Sequence, residues 1–300
     1  MSILTFEITR EEWLENVYRK SKSMSSKKAY DNSIKKWDDY LESIKKTDAD
    51  VLTELKAKNN DPESYLFLNN FIQYLSKQNL TRKSIDLIFV ALKSWCAANG
   101  VMLFNEYVKR FVQMPKANKE TKQPLTPEII KQLITNSPNQ IKVVLLTLLS
   151  SGMRIGECLQ IKVKDVNVGT NPIQIRLRAS TTKTREERIA YISKEAWEMV
   201  RPLLNGKDPD DLVFVKNFTH TTIISFETRF SRVRRNLGLI EKYEGERNYH
   251  VNIHAFRANF ETWATKVLNG DIAHALIGHR GYLDVYLRLT PQEKADMYHK

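Results

Sequence analysis

Cysteine is scarce in this chain, which has only two among 300 residues. Cys96 and Cys158 both fall in apolar helical patterns, and neither belongs to a C-x-x-C motif or to a His/Cys spacing that could bind zinc. These features exclude a disulfide framework and a zinc site. They predict two core thiols in a reducing compartment.

Long apolar runs are missing too, since no stretch approaches the roughly 18–20 residues that a membrane-spanning helix needs. The opening residues MSILTFE lack the basic and apolar blocks of a secretory signal. The chain also lacks a Walker A sequence, a glycine-rich dinucleotide turn and a cluster of Asp and Glu at metal-ligand spacing. We therefore expect a cytoplasmic protein that uses no cofactor and no metal.

Basic residues are what the chain has in excess. It carries 47 Lys and Arg against 35 Asp and Glu, a net charge of +12. This balance favours a polyanionic partner such as nucleic acid, because each neutralised phosphate releases condensed counterions. A basic surface with no such partner would give the same total. The length suggests two domains of ordinary size.

The first part of the chain shows amphipathic helices and no strand pattern. Thr9 and Glu12 have the spacing of a capping box, and Asp61-Pro62 and Thr81 mark further helix starts. We predict four helices in an all-α domain over residues 1–112. Aromatic residues recur there at helical spacing, which favours core packing over base stacking. They are Trp13, Tyr30, Trp37, Tyr65 and Trp95.

Several lysines lie off the apolar faces of these helices, among them Lys27 and Lys28. They are interpreted either as a solvated surface or as phosphate contacts. Residues 113–124 then contain two prolines, no periodicity and three further lysines, Lys116, Lys119 and Lys122. This segment is predicted to be a basic interdomain linker that could lie along a nucleic-acid backbone.

From residue 125 to 300 the pattern is mixed. An apolar run over residues 143–149 predicts a buried helix that ends near Gly152. Residues 172–177 and 188–192 alternate as strands and predict a hairpin with a long basic loop. Helical patterns resume at Ser193. The second domain is therefore predicted to be mainly α with a small β-sheet.

One arginine follows the buried helix closely. Arg154 comes two residues after Gly152 and three before Glu157. An arginine in apolar surroundings is costly unless it is paired or used. Arg154 could form a structural ion pair with Glu157, or it could offer a guanidinium to a phosphate while Glu157 braces it.

Other candidates lie further along the chain. Lys183 and Arg185 fall in the hairpin loop, where most lysines and arginines are simply solvated. His254 and Arg257 are spaced i, i+3, which predicts one helix face near a helix N-terminus, a region that attracts phosphate. The pair indicates a site more strongly than either residue alone.

A final group follows the glycine at position 278. His279 comes next, and Tyr286 lies seven residues later. A tyrosine hydroxyl has a pKa of about 10, so it needs neighbouring cations and a base to act as a nucleophile. The arginines, lysine and imidazoles named above would supply both.

Taken in order, these motifs resemble the tyrosine recombinase (phage integrase) family. The resemblance covers residues 125–300, and the N-terminal helices with their linker look more weakly like that family's core-binding domain. The motifs are Arg154 in Ser-Gly-Met-Arg-Ile-Gly-Glu, Lys183 in a hairpin, His254-x-x-Arg257, Gly278-His279 and a later tyrosine.

The resemblance implies a fold and an activity. The expected fold is a two-domain DNA clamp, with an all-α core-binding domain and an α+β catalytic domain. The expected activity is site-specific recombination of DNA through a 3′-phosphotyrosine, either to integrate and excise a mobile element or to resolve DNA multimers. Double-stranded DNA with a specific site would be the partner, and four protomers would assemble on it.

The resemblance also implies residue roles. Arg154 and Arg257 would hold the scissile phosphate, His279 would hydrogen-bond it, and Glu157 would orient Arg154 or His254. The remaining roles involve bond breaking. Tyr286 would attack phosphorus and Lys183 would protonate the leaving oxygen.

His254 would assist proton transfer at the tyrosine. One departure affects the nucleophile, because family members commonly place it slightly later, where this chain has Arg288. Tyr286 is favoured as the nucleophile because Val-Tyr-Leu-Arg resembles the sequence around the family nucleophile. Tyr298 and Tyr282 remain alternatives. Two other functions also remain open: a type IB topoisomerase-like strand relaxase and a DNA-binding protein with a decayed site.

Overall fold

The computed structural model of the protein describes residues 8–58, 61–116, 121–244, 248–278 and 289–299. The chain divides into two compact units, Met1–Lys119 and Glu120–Lys300. This division falls inside the proposed linker, and the limits at residues 112 and 125 stay predictions. Within the described ranges, no helix combines the length and apolar character needed to cross a membrane.

The described part of the first unit consists of helices. The predicted starts at Thr9, Asp61 and Thr81 are confirmed, since each side chain accepts a hydrogen bond from a backbone N–H of the helix that follows. The predicted number of four helices is wrong, because two short helices were missed. One buries two residues and the other none, so neither has a clear apolar period. The helices are α1 (Arg10–Ser21), α2 (Met24–Ser43), α3 (Asp48–Lys58), α4 (Pro62–Ser76), α5 (Arg82–Ala98) and α6 (Asn105–Phe111).

Aromatic side chains build the core of this unit. Asp48, the first residue of α3, accepts hydrogen bonds from the indole N–H groups of Trp37 (2.7 Å) and Trp95 (2.9 Å). The ring of Trp95 also meets Trp13 edge to face. All three tryptophans are buried, as is Tyr65, and Tyr30 packs against this core. The interpretation of these aromatic residues as core is confirmed.

The second unit is mainly α with one small sheet, as predicted. The sheet is antiparallel in the order β1-β2-β3, and Ile175 of its central strand pairs with Ala190. The predicted hairpin is β2–β3, while the two-residue β1 was missed. The strands are β1 (Val166–Asn167), β2 (Ile173–Leu177) and β3 (Arg188–Ile192). The helices are α7 (Pro127–Thr135), α8 (Asn139–Ser151), α9 (Ile155–Cys158), α10 (Lys194–Val200), α11 (His220–Asn236), α12 (Ile253–Val267), α13 (Gly270–Ile277) and α14 (Pro291–Tyr298).

Helix α8 is the centre of the second unit. It is apolar nearly all round, which is the pattern of a helix buried on every side, and it packs against α7, α10, α12 and β3. It ends at Gly152, whose φ of +60° lies in the left-handed region. The chain therefore changes direction sharply just before Arg154.

Glycine at position 152 should be required on two grounds, its backbone angle and its lack of space. A Cβ there would lie 2.5 Å from Phe260 and 2.7 Å from Ile277. We expect Gly152→Ala to lower the free energy of unfolding by about 2–4 kcal/mol, combining left-handed strain with overpacking. Urea unfolding measures it.

Gly206 provides a matched control. Its φ is also positive, at +71°, but a Cβ there would meet nothing within 4 Å. Gly206→Ala should cost only the backbone term, about 1 kcal/mol. Equal losses in the two variants would contradict the close packing of Phe260 and Ile277 against Gly152.

Candidate active site

Arg154 and Glu157 are paired as the sequence suggested. The carboxylate of Glu157 accepts hydrogen bonds from the backbone N–H of Arg154 (2.8 Å) and from its Nη1 (2.9 Å). Glu157 is only 2% exposed, whereas the side chain of Arg154 is 26% exposed. The first residues after α8 are thus held by a buried anion, and the guanidinium of Arg154 keeps an open side.

A second arginine, not singled out from the sequence, shares the same carboxylate. Nη2 of Arg188 lies 2.8 Å from Oε2 of Glu157, and Nε of Arg188 donates to the carbonyl of Ile277 (3.2 Å). The sequence did contain a signal. Arg188 is in phase with the buried Ala190 and Ile192 on β3, so its side chain starts on the core face.

Arg257 is the most deeply buried cation of the site, at 2% exposure. Its guanidinium donates from Nη1 to the carbonyl of Gly152 and from Nη2 to the carbonyl of Ile277 (2.9 Å). These two carbonyls end α8 and α13, where the helix dipole favours a cation. Among the described residues, the buried Nε–H of Arg257 has no hydrogen-bond acceptor.

The arginines repel one another in this confined space. Burial, and after it the positive charges of Arg154 and Arg188, lowers the pKa of Arg257 to about 10. The group therefore stays protonated at neutral pH, in surroundings that disfavour its charge. An anion bound beside it would relieve this cost.

Lys183 lies at the tip of the β2–β3 loop, as predicted. The preceding Thr182 is buried, and its hydroxyl donates to the carbonyl of Glu186 (2.9 Å), which closes the loop on itself. Lys183 itself is exposed. The loop therefore fixes the backbone next to Lys183 and leaves its amine free to reach a ligand.

His254 stands near the N-terminus of α12. The side chain of Asn252 caps this helix by accepting from the N–H of Ala255 (3.0 Å). His254 is exposed, and Arg257 is buried one turn later. The predicted i, i+3 pair therefore lies at one end of α12, with one side chain at the surface and the other in the interior.

One cavity of about 470 Å³ brings these residues together. Its lining includes Arg154, Glu157, Lys183, His254 and Arg257. They come from the turn after α8, the β2–β3 loop and the start of α12. Five predicted site residues therefore meet at a single cavity whose cations outnumber its carboxylates.

Of the candidate nucleophiles, the structure describes Tyr298 alone. His279, Tyr282 and Tyr286 lie outside the described residues. Tyr298, the other alternative nucleophile, donates its hydroxyl to the carbonyl of Ser150 (2.7 Å). Burial raises the pKa of Tyr298. Its hydroxyl is thus committed to a backbone acceptor and harder to ionise, which disfavours attack by this residue.

The predicted DNA-contacting residues are mostly at the surface. Lys27 is paired with Glu15 (2.8 Å), and the amine of Lys122 lies 4.9 Å from the centre of the Tyr243 ring. Lys119 is outside the described residues. The remaining three are exposed, and their contact with DNA stays a prediction: Lys28, Lys116 and Arg185.

Comparison with known proteins gives a consistent result. The model of the phage integrase family matches residues 123–285, a range that contains the whole cavity. The chain is also 26% identical over 236 residues to tyrosine recombinase XerA of Pyrococcus horikoshii, covering 77% of this chain and 78% of that protein.

Solved structures share the fold. A lambda integrase dimer bound to a core site matches with a TM-score of 0.61 and 17% identity, covering 97% of this chain and 95% of that one. A lambda integrase tetramer bound to a Holliday junction matches with a TM-score of 0.58 and 15% identity, covering 95% and 81%.

Removing the buried anion should destabilise the second unit. Glu157→Gln leaves Arg154 and Arg188 without their shared carboxylate and Arg257 without a nearby negative charge. Breaking a buried pair in this way costs about 3–5 kcal/mol. Urea unfolding measures the loss. Glu187→Gln, which removes the exposed partner of Arg176 (2.7 Å) in the same hairpin, should change stability little. Similar stabilities for both variants would contradict a structural role for Glu157.

Proposed function

Because this chain belongs to the phage integrase family, we propose that it is a tyrosine-type site-specific DNA recombinase. It cleaves and rejoins double-stranded DNA at a specific site through a 3′-phosphotyrosine. The role is integration and excision of a mobile element or resolution of DNA multimers. We place it in the cytoplasm, bound to DNA.

The meeting of Arg154, Lys183, His254 and Arg257 at one cavity carries this proposal. Phosphoryl transfer requires cations that neutralise the equatorial oxygens, a proton donor for the leaving oxygen and a base near the nucleophile. Three separate segments of the chain supply these groups. The net charge of +12 suits the polyanionic substrate.

The two arginines act on the phosphate in different ways. Arg154 is braced by Glu157 and partly open, so its planar fork can meet two phosphate oxygens at once. Arg257 is held by two carbonyls, and its Nε–H has no acceptor among the described residues. A non-bridging phosphate oxygen would satisfy that N–H and stabilise the charge that builds up in the transition state.

The covalent step uses the remaining groups. The hydroxyl oxygen of Tyr286 attacks phosphorus in line with the bond to the 5′ oxygen, and His254 accepts the phenolic proton. That bond breaks as Lys183 gives a proton to the 5′ oxygen, and His279 hydrogen-bonds the phosphate. The products are a 3′-phosphotyrosine and a free 5′-hydroxyl. Attack by the 5′-hydroxyl of another strand reverses the step, and no ATP is needed because the ester is kept.

Strand exchange between two duplexes requires several active sites at once, so we propose that four protomers assemble on DNA. The lambda integrase tetramer on a Holliday junction, whose fold this chain shares, supports that arrangement. The basic residues Lys27, Lys28, Lys116, Lys119, Lys122 and Arg185 are proposed to contact the DNA backbone.

The nucleophile can be tested with a nicked suicide duplex, whose site is first selected from a random duplex library by binding to the protein. The wild type should form a covalent protein–DNA complex on denaturing gels, and Tyr286→Phe should form none. Tyr282→Phe and Tyr298→Phe should retain it, because each removes a hydroxyl that does not attack.

A complex that persists in Tyr286→Phe would overturn the assignment of Tyr286. Relaxation of supercoiled plasmids that lack the selected site, without strand exchange, would favour the topoisomerase-like function. Binding of DNA with no covalent complex for any variant would favour a DNA-binding protein with a decayed site.

The contribution of bidentate hydrogen bonding by Arg154 can be separated from the contribution of its positive charge. Arg154→Lys keeps the cation but loses bidentate geometry. We expect the rate of covalent complex formation to fall by about 10²–10³-fold, as for loss of one oxyanion donor, with DNA affinity nearly unchanged. Arg176→Lys, at an exposed position on β2, is the control. An unchanged rate in Arg154→Lys would contradict bidentate phosphate contact.

A further inference from the structure

We infer that Arg188 is a positioning residue for DNA cleavage, which sets the orientation of both phosphate-binding arginines at once. The inference rests on the proposed recombinase function. Arg188 is absent from the lining of the cavity that contains Arg154 and Arg257. It acts through the groups that hold those residues.

The first link runs through Glu157. Oε2 of this carboxylate accepts from Nη2 of Arg188 (2.8 Å) and also from the backbone N–H of Arg154 (2.8 Å). Its Oε1 accepts from the guanidinium of Arg154 (2.9 Å). Arg188 therefore holds the carboxylate that fixes both the main chain and the side chain of Arg154.

The second link runs through the end of α13. The carbonyl of Ile277 accepts from Nε of Arg188 (3.2 Å) and from Nη2 of Arg257 (2.9 Å). The orientation of Arg257 thus depends on a carbonyl that Arg188 also holds.

The third contact is with Gly278, whose φ is +67°. A Cβ on Gly278 would lie 2.5 Å from both Cδ and Nε of Arg188. The side chain of Arg188 therefore packs directly against the turn that ends α13. Glycine is needed there both for the backbone angle and for this close approach.

Arginine suits this position better than lysine. The side chain is only 10% exposed, and burial lowers its pKa, yet a guanidinium retains its charge where a lysine would lose it more readily. Its fork reaches a carboxylate on one side and a carbonyl on the other. The amine of a lysine is a single point and cannot keep both contacts in this geometry.

A second arginine, directly after β2, gives a matched control. Nε of Arg178 lies 3.1 Å from the buried Asp165, and its Nη2 donates to the carbonyl of Gln160 (2.6 Å). Arg178 thus also joins a buried carboxylate to a backbone carbonyl. It contacts neither Glu157 nor Ile277 among its described hydrogen bonds and ion pairs, so its loss tests stability without the positioning effect.

The experiment compares the wild type with Arg188→Met, Arg188→Lys and Arg178→Met. The melting temperature of each variant is measured first. The affinity for the selected duplex and the single-turnover rate of covalent complex formation are then measured below the melting transitions. We expect both Met variants to melt earlier. Only Arg188→Met should lose rate, by about 10²-fold, as expected for a small displacement of the reacting groups.

If Arg188→Met does not fold, Arg188→Lys tests the positioning role of Arg188 instead. It should recover part of the rate by keeping a cation beside Glu157, and it should leave DNA affinity unchanged. A wild-type rate in either folded Arg188 variant would overturn the inference. So would an equal loss of rate in Arg178→Met, since the effect would then be one of stability alone.

A double variant tests the route through Glu157. If Arg188 acts partly through that carboxylate, the rate loss of Arg188→Met combined with Glu157→Gln should be smaller than the product of the two single losses, because only the route through Ile277 remains to be broken. Rate losses that multiply would overturn this route. A wild type that forms no covalent complex would overturn the proposed function itself, whereas an active wild type with equally active Arg188 variants would overturn only the positioning role.

Discussion

One buried carboxylate organises the catalytic half of this protein. Glu157 is 2% exposed and receives hydrogen bonds from Arg154 and Arg188, and its negative charge also favours the charged form of the nearby Arg257. Without it, three largely buried guanidinium groups would repel one another. With it, the region keeps an excess of positive charge at a fixed place, which is what a site for a phosphate diester requires.

Two helices end at the group of arginines around Glu157. Gly152 ends α8 and Gly278 ends α13, both with positive φ, and the carbonyls of Gly152 and Ile277 both face Arg257. The hydrophobic core around α8 therefore fixes the site through backbone atoms. Lys183 and His254 are exposed, the first on the β2–β3 loop and the second near the N-terminus of α12, so both side chains reach the cavity from its surface.

Much of this arrangement was predictable from the sequence, because the motifs around Arg154, His254 and Arg257 pair residue types with recognisable spacing. The hairpin followed from alternation, and three helix starts followed from Thr9, Asp61 and Thr81. Arg188 was missed because its partners, Glu157 and Ile277, are distant in sequence, and only its phase on β3 indicated burial. Helices α3 and α6 were missed because they bury too few residues to show a period.

The most direct test of the central claim is to map the DNA adduct by mass spectrometry. Trypsin should release residues 281–288, GYLDVYLR, which contain both Tyr282 and Tyr286, and fragmentation of this peptide assigns the modified side chain. We predict a nucleotide joined through its 3′-phosphate to Tyr286, and no such adduct when Arg154 or Arg257 is replaced by alanine. An adduct on Tyr282 or Tyr298, or one that forms equally well without the arginines, would contradict the claim.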